Sequence, residues 1–358
     1  MFYVIRPRSC DLCWDKMVKQ SVSGFSSNFI MKVVLSTVFC LLISTGSCGS
    51  SDAESVNFLI IGDWGGLPDF PYRTPIEWAV GKQMGRLADK LNAQFVLALG
   101  DNFYFDGVKD VDDPRFKETF DSAFSSTSLG LDWYFVAGNH DHNGNVSAQI
   151  AYSDREKRWN FPHYYYKLDI PLPGGSTMEI LMVDTIILCG NSDADYLGLQ
   201  PNGTEYKHKR LADQQWAWLE KSMQTSKAEY LMIGGHYPVL SVAEHGPTKC
   251  LVDRLMPMLY KYKVSAYLCG HDHNLQHLEY TQNNHTVQYF LSGAANFIDP
   301  SVAHHHSVPK GSLKFHWRNV LSLGGFAYAE ASSKNVTVTF VDAGARKLHT
   351  KTIFPRRL

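Results

Sequence analysis

Five apolar segments of this chain each lead into a glycine that is followed at once by an aspartate, an asparagine or a histidine. The apolar segments are typical of buried strands, and the polar residues begin where each strand stops. Glycine allows the backbone to turn sharply and lets a second group approach closely. One such pair is a common turn or cap, but five at the same structural position predict a single site at the strand ends. The pairs are Gly62-Asp63, Gly100-Asp101, Gly138-Asn139, Gly235-His236 and Gly270-His271.

The segment between the first two strands is typical of a helix. Thr74-Pro75-Ile76-Glu77 matches a capping box with proline at the first helical position, and apolar residues follow at helical spacing as far as Leu91. Strand, helix and strand in this order predict a βαβ unit with a right-handed crossover. We therefore expect an α/β protein, in which ligands bind outside the carboxyl ends of the strands.

The N-terminal region predicts a secreted protein. In residues 31–49 a lysine precedes a short apolar run and then small residues, which is typical of a secretory signal peptide. The run is too short for a membrane span, which takes roughly 20 residues; a buried core segment is the alternative. Residues 1–30 are interpreted as a non-native or upstream extension, and residues 50–358 as one catalytic domain. The formal charge of -1 argues against nucleic acid as a partner.

The cysteines fit an oxidising compartment. Outside the N-terminal region only Cys189, Cys250 and Cys269 remain. Cys269 lies in an apolar strand, whereas Cys189 and Cys250 lie in polar surroundings. We therefore expect a disulfide between Cys189 and Cys250 and one buried thiol. Four glycosylation sequons are consistent with the same compartment, at Asn145, Asn202, Asn284 and Asn335.

The strand ends and the residues beside them supply seven oxygen and nitrogen donors and no paired thiolates. Such a set argues against a structural zinc finger and favours one or two hard to borderline metal ions. One metal would leave several donors unused, whereas two metals that share a carboxylate use all seven and keep positions for water and substrate. The donors are Asp63, Asp101, Tyr104, Asn139, His236, His271 and His273.

Tyr104 is the most informative donor, because it lies three residues after Asp101. A phenol, with a reference pKa of about 10, coordinates well only to an ion acidic enough to remove its proton. Fe(III) is such an ion, whereas Zn²⁺, Mg²⁺ and Ca²⁺ rarely are. Taken alone, Tyr104 would be interpreted as an ordinary half-buried tyrosine. Its place after Asp101 favours a ferric ligand.

These blocks resemble the signature of the purple acid phosphatases, and the chain is similar to the small animal type over roughly residues 55–355. Other metallophosphoesterases carry Asp-x-His in the first block. Here Gly65 stands in place of that histidine, and Tyr104 compensates for it. The matching blocks are Gly62-Asp63-Trp64-Gly65, Gly100-Asp101-Asn102-Phe103-Tyr104, Gly138-Asn139-His140-Asp141, Gly235-His236 and Gly270-His271-Asp272-His273.

The resemblance implies a metallophosphoesterase-type four-layer sandwich, in which two mixed β-sheets pack face to face and are flanked by α-helices. It also implies a dinuclear centre in which Asp101 bridges Fe(III) and a divalent ion, either Fe(II) or Zn(II). The ferric site would be completed by Asp63, Tyr104 and His273, and the divalent site by Asn139, His236 and His271.

The implied activity is that of an acid phosphatase, which hydrolyses phosphomonoesters such as aryl phosphates, phosphoproteins and nucleotides with a metal-activated water or hydroxide as the nucleophile. His140 and His245 stand where the family has histidines that stabilise the phosphoryl group and assist the leaving group. For His245, a surface histidine paired with Glu244 is the alternative. For the whole chain, the alternatives are an iron-redox generator of reactive oxygen species and a non-catalytic secreted binding protein.

Residues 189–209 resemble a regulatory loop of the animal enzymes, a lid whose cleavage raises activity; an ordinary exposed loop is the alternative. We expect Asp193 to lie over the metals. We also expect an activating protease as a partner. By contrast, His304-His305-His306 follows no strand and is interpreted as a surface loop. We expect a monomer that is lysosomal, extracellular or both.

Overall fold

The computed structural model describes residues 55–192, 200–201, 203 and 208–356. The predicted signal peptide, the N-terminal extension, Asp193 and Asn202 lie outside the described residues. Within the described part of the chain, no helix has the length and apolar character needed to cross a membrane.

The first of two sheets contains seven strands, and its centre is parallel. Its strands are β1 (Val56–Ile61), β2 (Phe95–Leu99), β3 (Asp132–Val136), β4 (Trp159–Asn160), β12 (Gly325–Ala331), β13 (Val336–Asp342) and β14 (Lys347–Ile353). They are arranged in the order β14-β13-β12-β1-β2-β3-β4. Strands β1 to β4 pair in parallel, and β12 to β14 continue the sheet with antiparallel pairs. The sheet is therefore mixed.

The second sheet also has seven strands, in the order β11-β9-β10-β8-β7-β6-β5. The strands are β5 (Tyr166–Pro171), β6 (Thr177–Met182), β7 (Tyr230–Gly234), β8 (Ala266–Cys269), β9 (Leu275–Gln282), β10 (His285–Ser292) and β11 (Leu313–Trp317). Its four central strands are parallel, and the outer pairs are antiparallel. The two sheets meet where the Gly62 N–H donates to Ser292 O at 2.8 Å and the Phe290 ring lies 6.1 Å from that of Phe340. This confirms the predicted pair of packed mixed sheets.

Helices flank the sheets. They are α1 (Pro75–Leu91), α2 (Asn139–Asn143), α3 (Val146–Tyr152), α4 (Thr185–Cys189), α5 (Lys209–Thr225) and α6 (Met256–Lys261), with π-helical turns at Phe116–Asp121 and Leu251–Leu255 and a 3-10 turn at Thr127–Leu129. On the second sheet, α5 and α6 bury Trp216, Leu219 and Leu259 against the strands. Under the first sheet, Trp64 packs edge-on against the Trp133 and Trp159 rings. Helices or aromatic side chains thus cover an apolar face of each sheet.

Helix α1 begins at the predicted residue. The Thr74 hydroxyl oxygen accepts the Glu77 N–H at 3.0 Å, and Asn92 ends the helix in a left-handed conformation. The Glu77 carboxylate is buried beside Gly66, which raises its pKa, and the Thr74 backbone lowers that pKa in part, as the second half of a capping box would.

The local sequence pattern predicts three further elements, of which one forms as expected. Residues 114–124 are predicted to be helical and are so, with a π-helical turn at Phe116–Asp121. Residues 147–159 are also predicted to form a helix, but the helix ends at Tyr152, and Trp159 belongs to a strand that pairs with β3 and packs in the aromatic core. The apolar pattern predicts β13 as the last strand, yet β14 follows it, and its sequence is mostly polar because it forms the edge of the sheet.

A disulfide joins Cys189 and Cys250 with a Cα–Cα distance of 5.7 Å, and Cys269 is a buried free thiol. Cys189 is itself buried at the end of α4, and not in the polar surroundings that its sequence context suggests. The bridge ties α4 to the segment that follows Thr248, which leads away from the site.

Candidate metal centre

The five glycine pairs lie at one end of the two sheets, because β1, β2, β3, β7 and β8 all point their carboxyl ends there. The loops contact one another directly: the Asp63 N–H donates to Gly100 O at 3.0 Å, and the Gly270 N–H donates to His236 O at 3.1 Å. Parallel strands therefore bring together residues that are more than 200 positions apart in sequence, such as Asp63 and His271.

Two of the glycines cannot be replaced by a larger residue, because carboxylate oxygens lie close to their Cα atoms. A Cβ at Gly138 would lie 2.1 Å from Asp101 Oδ1, and a Cβ at Gly270 would lie 2.2 Å from Asp63 Oδ2. No side chain fits at either position. The glycine in each pair thus makes room for a donor from another strand end.

Three of the predicted donors have left-handed backbones. Asp63, Asp101 and His271 have φ values of 57°, 51° and 76°. For residues other than glycine this conformation costs of the order of 1–3 kcal/mol, and it clusters at functional sites. The surrounding fold holds the strained residues in place, which indicates that their side-chain directions matter.

One group of potential ligands consists of Asp63, Asp101 and His273, whose ligand atoms all lie within 4.8 Å of one another. The Tyr104 hydroxyl joins this group, since it lies 2.9 Å from His273 Nε2 and 3.2 Å from Asp63 Oδ1. Tyr104 is fully buried. It is not a half-buried core tyrosine, because its phenol oxygen is directed at a carboxylate and an imidazole.

A second group consists of Asp101, His236 and His271, again with ligand atoms within 4.8 Å of one another. Asn139 Oδ1 lies 2.9 Å from His236 Nε2, and Asp101 Oδ2 lies 3.4 Å from the same nitrogen. Asp101 is the residue common to both groups. The seven predicted donors thus form two overlapping clusters that share one carboxylate.

Backbone groups orient the donors. His236 Nδ1–H donates to Leu99 O at 2.9 Å, which directs Nε2 towards the centre. The His271 N–H donates to both oxygens of Asp63, at 3.0 and 2.9 Å. The His140 N–H donates to Asp101 Oδ1 at 3.1 Å. Each carboxylate therefore keeps a fixed orientation.

The electrostatics of the centre suit cations. Burial, together with the nearby Asp101, raises the pKa of Asp63 well above its usual value. Burial alone would also raise the pKa of Asp101, but the imidazoles of His236 and His140 hold that pKa below its usual range. Two fully buried carboxylates that face each other require positive charge between them. Metal ions would supply that charge.

The same burial and the same charges also shift the pKa values of the histidines. Burial by itself would lower the pKa of His236, but the carboxylates of Asp101 and Asp63 raise it to about 10. Burial and the neighbouring imidazoles lower the pKa of His271 well below its usual value, which favours the neutral ring, whereas His236 would release its proton on binding a metal. The oxygen and nitrogen donor set thus fits two hard to borderline metal ions.

The two predicted catalytic histidines lie beside different parts of the centre. His140 Nδ1–H donates to Phe105 O at 2.7 Å, and its ring centroid lies 4.7 Å from that of Tyr104. The His245 ring lies 4.0 Å from the His271 ring, and its backbone N–H donates to Asp272 Oδ1 at 3.0 Å. His140 is thus close to the first group of ligands and His245 to the second.

Several residues at the site were not predicted from the sequence. Buried Asp141 accepts the Gly138, Asn102 and Phe103 N–H groups at 2.8–3.2 Å, and so clamps two strand-end loops together. The sequence did point to Asp141, because this residue belongs to the block that contains Asn139 and His140. No role was assigned to it.

An aromatic wall also borders the site, formed by Phe105 and Phe297. Their rings stack with centroids 6.1 Å apart, and each also contacts the Tyr104 ring. Phe297 lies 5.4 Å from the His273 ring, and Phe105 is 46% exposed. No sequence signal marks Phe297, which reaches the site from a long loop after β10.

Comparisons with known proteins agree with this geometry. Residues 56–275 match the calcineurin-like phosphoesterase family. The chain is 50% identical over 319 residues to tartrate-resistant acid phosphatase type 5 of Homo sapiens, which covers 88% of this chain and 95% of that protein. It is 31% identical over 303 residues to purple acid phosphatase 17 of Arabidopsis thaliana, covering 82% of this chain and 83% of that protein.

Solved structures share the fold. The yellow lupin purple acid phosphatase PPD1 has a TM-score of 0.59 at 16% identity, covering 84% of this chain and 54% of that one. The Plasmodium inner-membrane-complex anchor GAP50 has a TM-score of 0.69 at 20% identity, covering 85% and 90%. From the family match and the close relatives, the chain belongs to the calcineurin-like phosphoesterases and, within them, to the purple acid phosphatases of the tartrate-resistant type.

Proposed function

We propose that this protein is an acid phosphatase that hydrolyses phosphomonoesters at a dinuclear metal centre. The observation that carries the proposal is the pair of ligand clusters that overlap at Asp101, with His140 and His245 beside them. A non-catalytic binding protein on the same fold would be expected to have lost a ligand, and each of the seven donors is present at the centre.

We assign Fe(III) to the group of Asp63, Asp101, Tyr104 and His273, because a fully buried phenol close to a carboxylate suits the more acidic ion. The second group, Asp101, Asn139, His236 and His271, would hold Fe(II) or Zn(II). When bound, the two ions would polarise the phosphoryl group and lower the pKa of water for in-line attack at phosphorus.

The two histidines would handle the phosphoryl oxygens and the leaving group. Because His140 Nδ1 donates to Phe105 O, we expect its Nε2 to contact a phosphoryl oxygen. The His245 ring lies against that of His271, and we expect it to donate a proton to the departing oxygen.

Aryl phosphates fit the surroundings of the centre. Stacked Phe105 and Phe297 present an aromatic surface beside His140 and His273, on which a flat leaving group could pack. Phosphoproteins and nucleotides also carry flat or extended leaving groups and remain substrate candidates.

We propose that the protein acts as a monomer in the secretory pathway, in lysosomes or outside the cell. The Cys189–Cys250 disulfide supports an oxidising compartment. Residues 31–49 would be the signal peptide, residues 1–30 an upstream extension and residues 50–358 the catalytic domain. Among the sequons, Asn145 and Asn284 are exposed and Asn335 is partly exposed, so each is accessible to glycosylation.

We also propose that residues 189–209 form a protease-sensitive lid with Asp193 over the metals. Gln200 supports this idea, because its side-chain amide donates to His245 O at 3.3 Å and to Pro247 O at 3.1 Å. The segment is therefore attached at Gln200 to the loop that carries His245.

The test is to purify the secreted protein, measure its visible absorption and metal content, and assay phosphate release from an aryl phosphate at about pH 5. A coloured protein with two metals and acid phosphatase activity is expected. A colourless protein without turnover at any added metal would refute the proposal. Formation of reactive oxygen species without phosphate release would favour the redox alternative.

A further inference from the structure

The loop of residues 241–248 places His245 over His271, and its backbone is held from one side by the strand-end network. The His245 N–H donates to Asp272 Oδ1 at 3.0 Å, and the Val242 N–H donates to Gln276 Oε1 at 3.0 Å. Asp272 also accepts the Ser241 hydroxyl. These hydrogen bonds fix the position of the loop backbone relative to the metal ligands.

The imidazole of His245 has little support of its own. Its Nδ1 is buried and has no hydrogen-bond partner among the described residues, and its ring contacts that of His271 with centroids 4.0 Å apart and planes tilted by 31°. A contact between two rings fixes the direction of a side chain less tightly than a hydrogen bond does. The direction of the His245 side chain therefore depends on the backbone on both sides of it.

His304 supports that backbone from the opposite side. Its Nδ1–H donates to Ala243 O at 2.8 Å, and its backbone N–H donates to Val242 O at 3.1 Å. The His304 ring also packs on Gly246, where a Cβ would lie 2.4 Å from His304 Cγ. One imidazole thus contacts the loop on both sides of His245.

His304 is itself tied to the metal centre. The segment that leads to it begins at Phe297, whose ring packs against His273, and the Asp299 N–H donates to His273 O at 2.8 Å. The same segment therefore connects His273, in the first ligand group, to the His245 loop beside the second. The expectation of a plain surface loop for residues 304–306 holds for His305 and His306, which are exposed, but not for His304.

We propose that His304 is a positioning residue for His245: it holds the 243–246 backbone so that the His245 ring stays over His271, facing the leaving group. This inference rests on the proposed phosphatase function. It assigns His304 no contact with substrate or metal.

The experiment is to replace His304 by alanine in the full secreted protein and to measure kcat and KM with an aryl phosphate, together with metal content and visible absorption. We expect kcat to fall about three- to tenfold, the range for losing one hydrogen bond that orients a catalytic group. Metal content, colour and KM should be unchanged. The matched controls are His305→Ala and His306→Ala, which remove exposed neighbours and should behave like the wild type.

Two further variants separate positioning from a general loss of stability. His304→Asn keeps a side-chain donor for Ala243 O and should recover most of the lost kcat. In a His245→Ala background, His304→Ala should cause no further loss, because the group that it positions is already absent.

The inference is wrong if His304→Ala keeps the wild-type kcat, if its loss persists in the His245→Ala background, or if it loses metal. Wild-type turnover and the effect of His245→Ala alone test the proposed function separately. A colourless, inactive wild type would therefore refute the function and not be mistaken for a failure of the His304 inference.

Discussion

Replacing Gly138 by alanine tests the packing that brings the two ligand groups together. Gly138 has φ −100° and ψ −176°, which alanine adopts readily, so the substitution introduces a steric change and no backbone strain. The added Cβ would lie 2.1 Å from Asp101 Oδ1 and 2.4 Å from the Asp101 backbone nitrogen. Rotation of the carboxylate alone cannot relieve both contacts, so the residue that is shared by both groups must move.

The size of the effect follows from that displacement. A shift of about 1 Å at a catalytic site can cost about 100-fold in rate, and overpacking of a close-packed interior costs about 1–3 kcal/mol of the free energy of unfolding. Moving Asp101 would also weaken its contacts with the His140 N–H and with His236 Nε2. We expect Gly138→Ala to lose metal and about 100-fold in kcat.

The assay compares bound metal, visible absorption and release of phosphate at about pH 5 with those of a control glycine variant. Gly130→Ala is a suitable control, because its Cβ would meet only Thr127 O, at 3.2 Å, and no residue of the two ligand groups. It should keep the metal content and turnover of the wild type. If Gly138→Ala kept both metals and turnover within about twofold of the wild type, the crowding argument at Asp101 would be wrong.

Further predictions concern single groups. Tyr104→Phe removes the phenol that lies close to Asp63, and we expect loss of the visible absorption band together with weaker iron binding; an unchanged spectrum would contradict the ferric assignment. His140→Ala and His245→Ala should each lower kcat by about 10²–10⁴-fold with metal content retained, and loss of iron in either would indicate a structural role instead. Burial raises the pKa of Glu77 well above its usual value, so the stability that it contributes is present at low pH and is lost as the pH rises through the folded pKa. Thermal unfolding of Glu77→Gln should accordingly depend less on pH between about 5 and 8 than that of the wild type, and an equal dependence would exclude Glu77 as its source.

Much of the centre could be predicted because its donors follow apolar strands. Parallel strands end at one edge of their sheet, so a polar residue after each strand marks a candidate ligand before any distance is known. The pairing of Asp101 with Tyr104 favours a ferric ion by the same local logic, and the identity of the metals stays a prediction. Helix α1 was predictable for a similar reason, since Thr74 and Pro75 form its first turn from adjacent residues.

Elements that depend on tertiary contacts were not predictable in this way. Strand β14 is mostly polar because it forms a sheet edge, and it pairs with β13 only once the sheet exists. The helix expected up to Trp159 stops early, because that side chain finds a place in the aromatic core against Phe135. In both segments, tertiary contacts override the local secondary-structure propensity.

The sequence by itself therefore determined the α/β class, the strand ends and the donor types, since these depend on short-range patterns. Only the tertiary structure decided that Gly138 and Gly270 make room for carboxylates, and that Phe297 and His304 reach the site. His304 and Ala243 are 61 residues apart and are joined only when two separate loops pack together. Such contacts follow from the path of the whole chain, which no local pattern encodes.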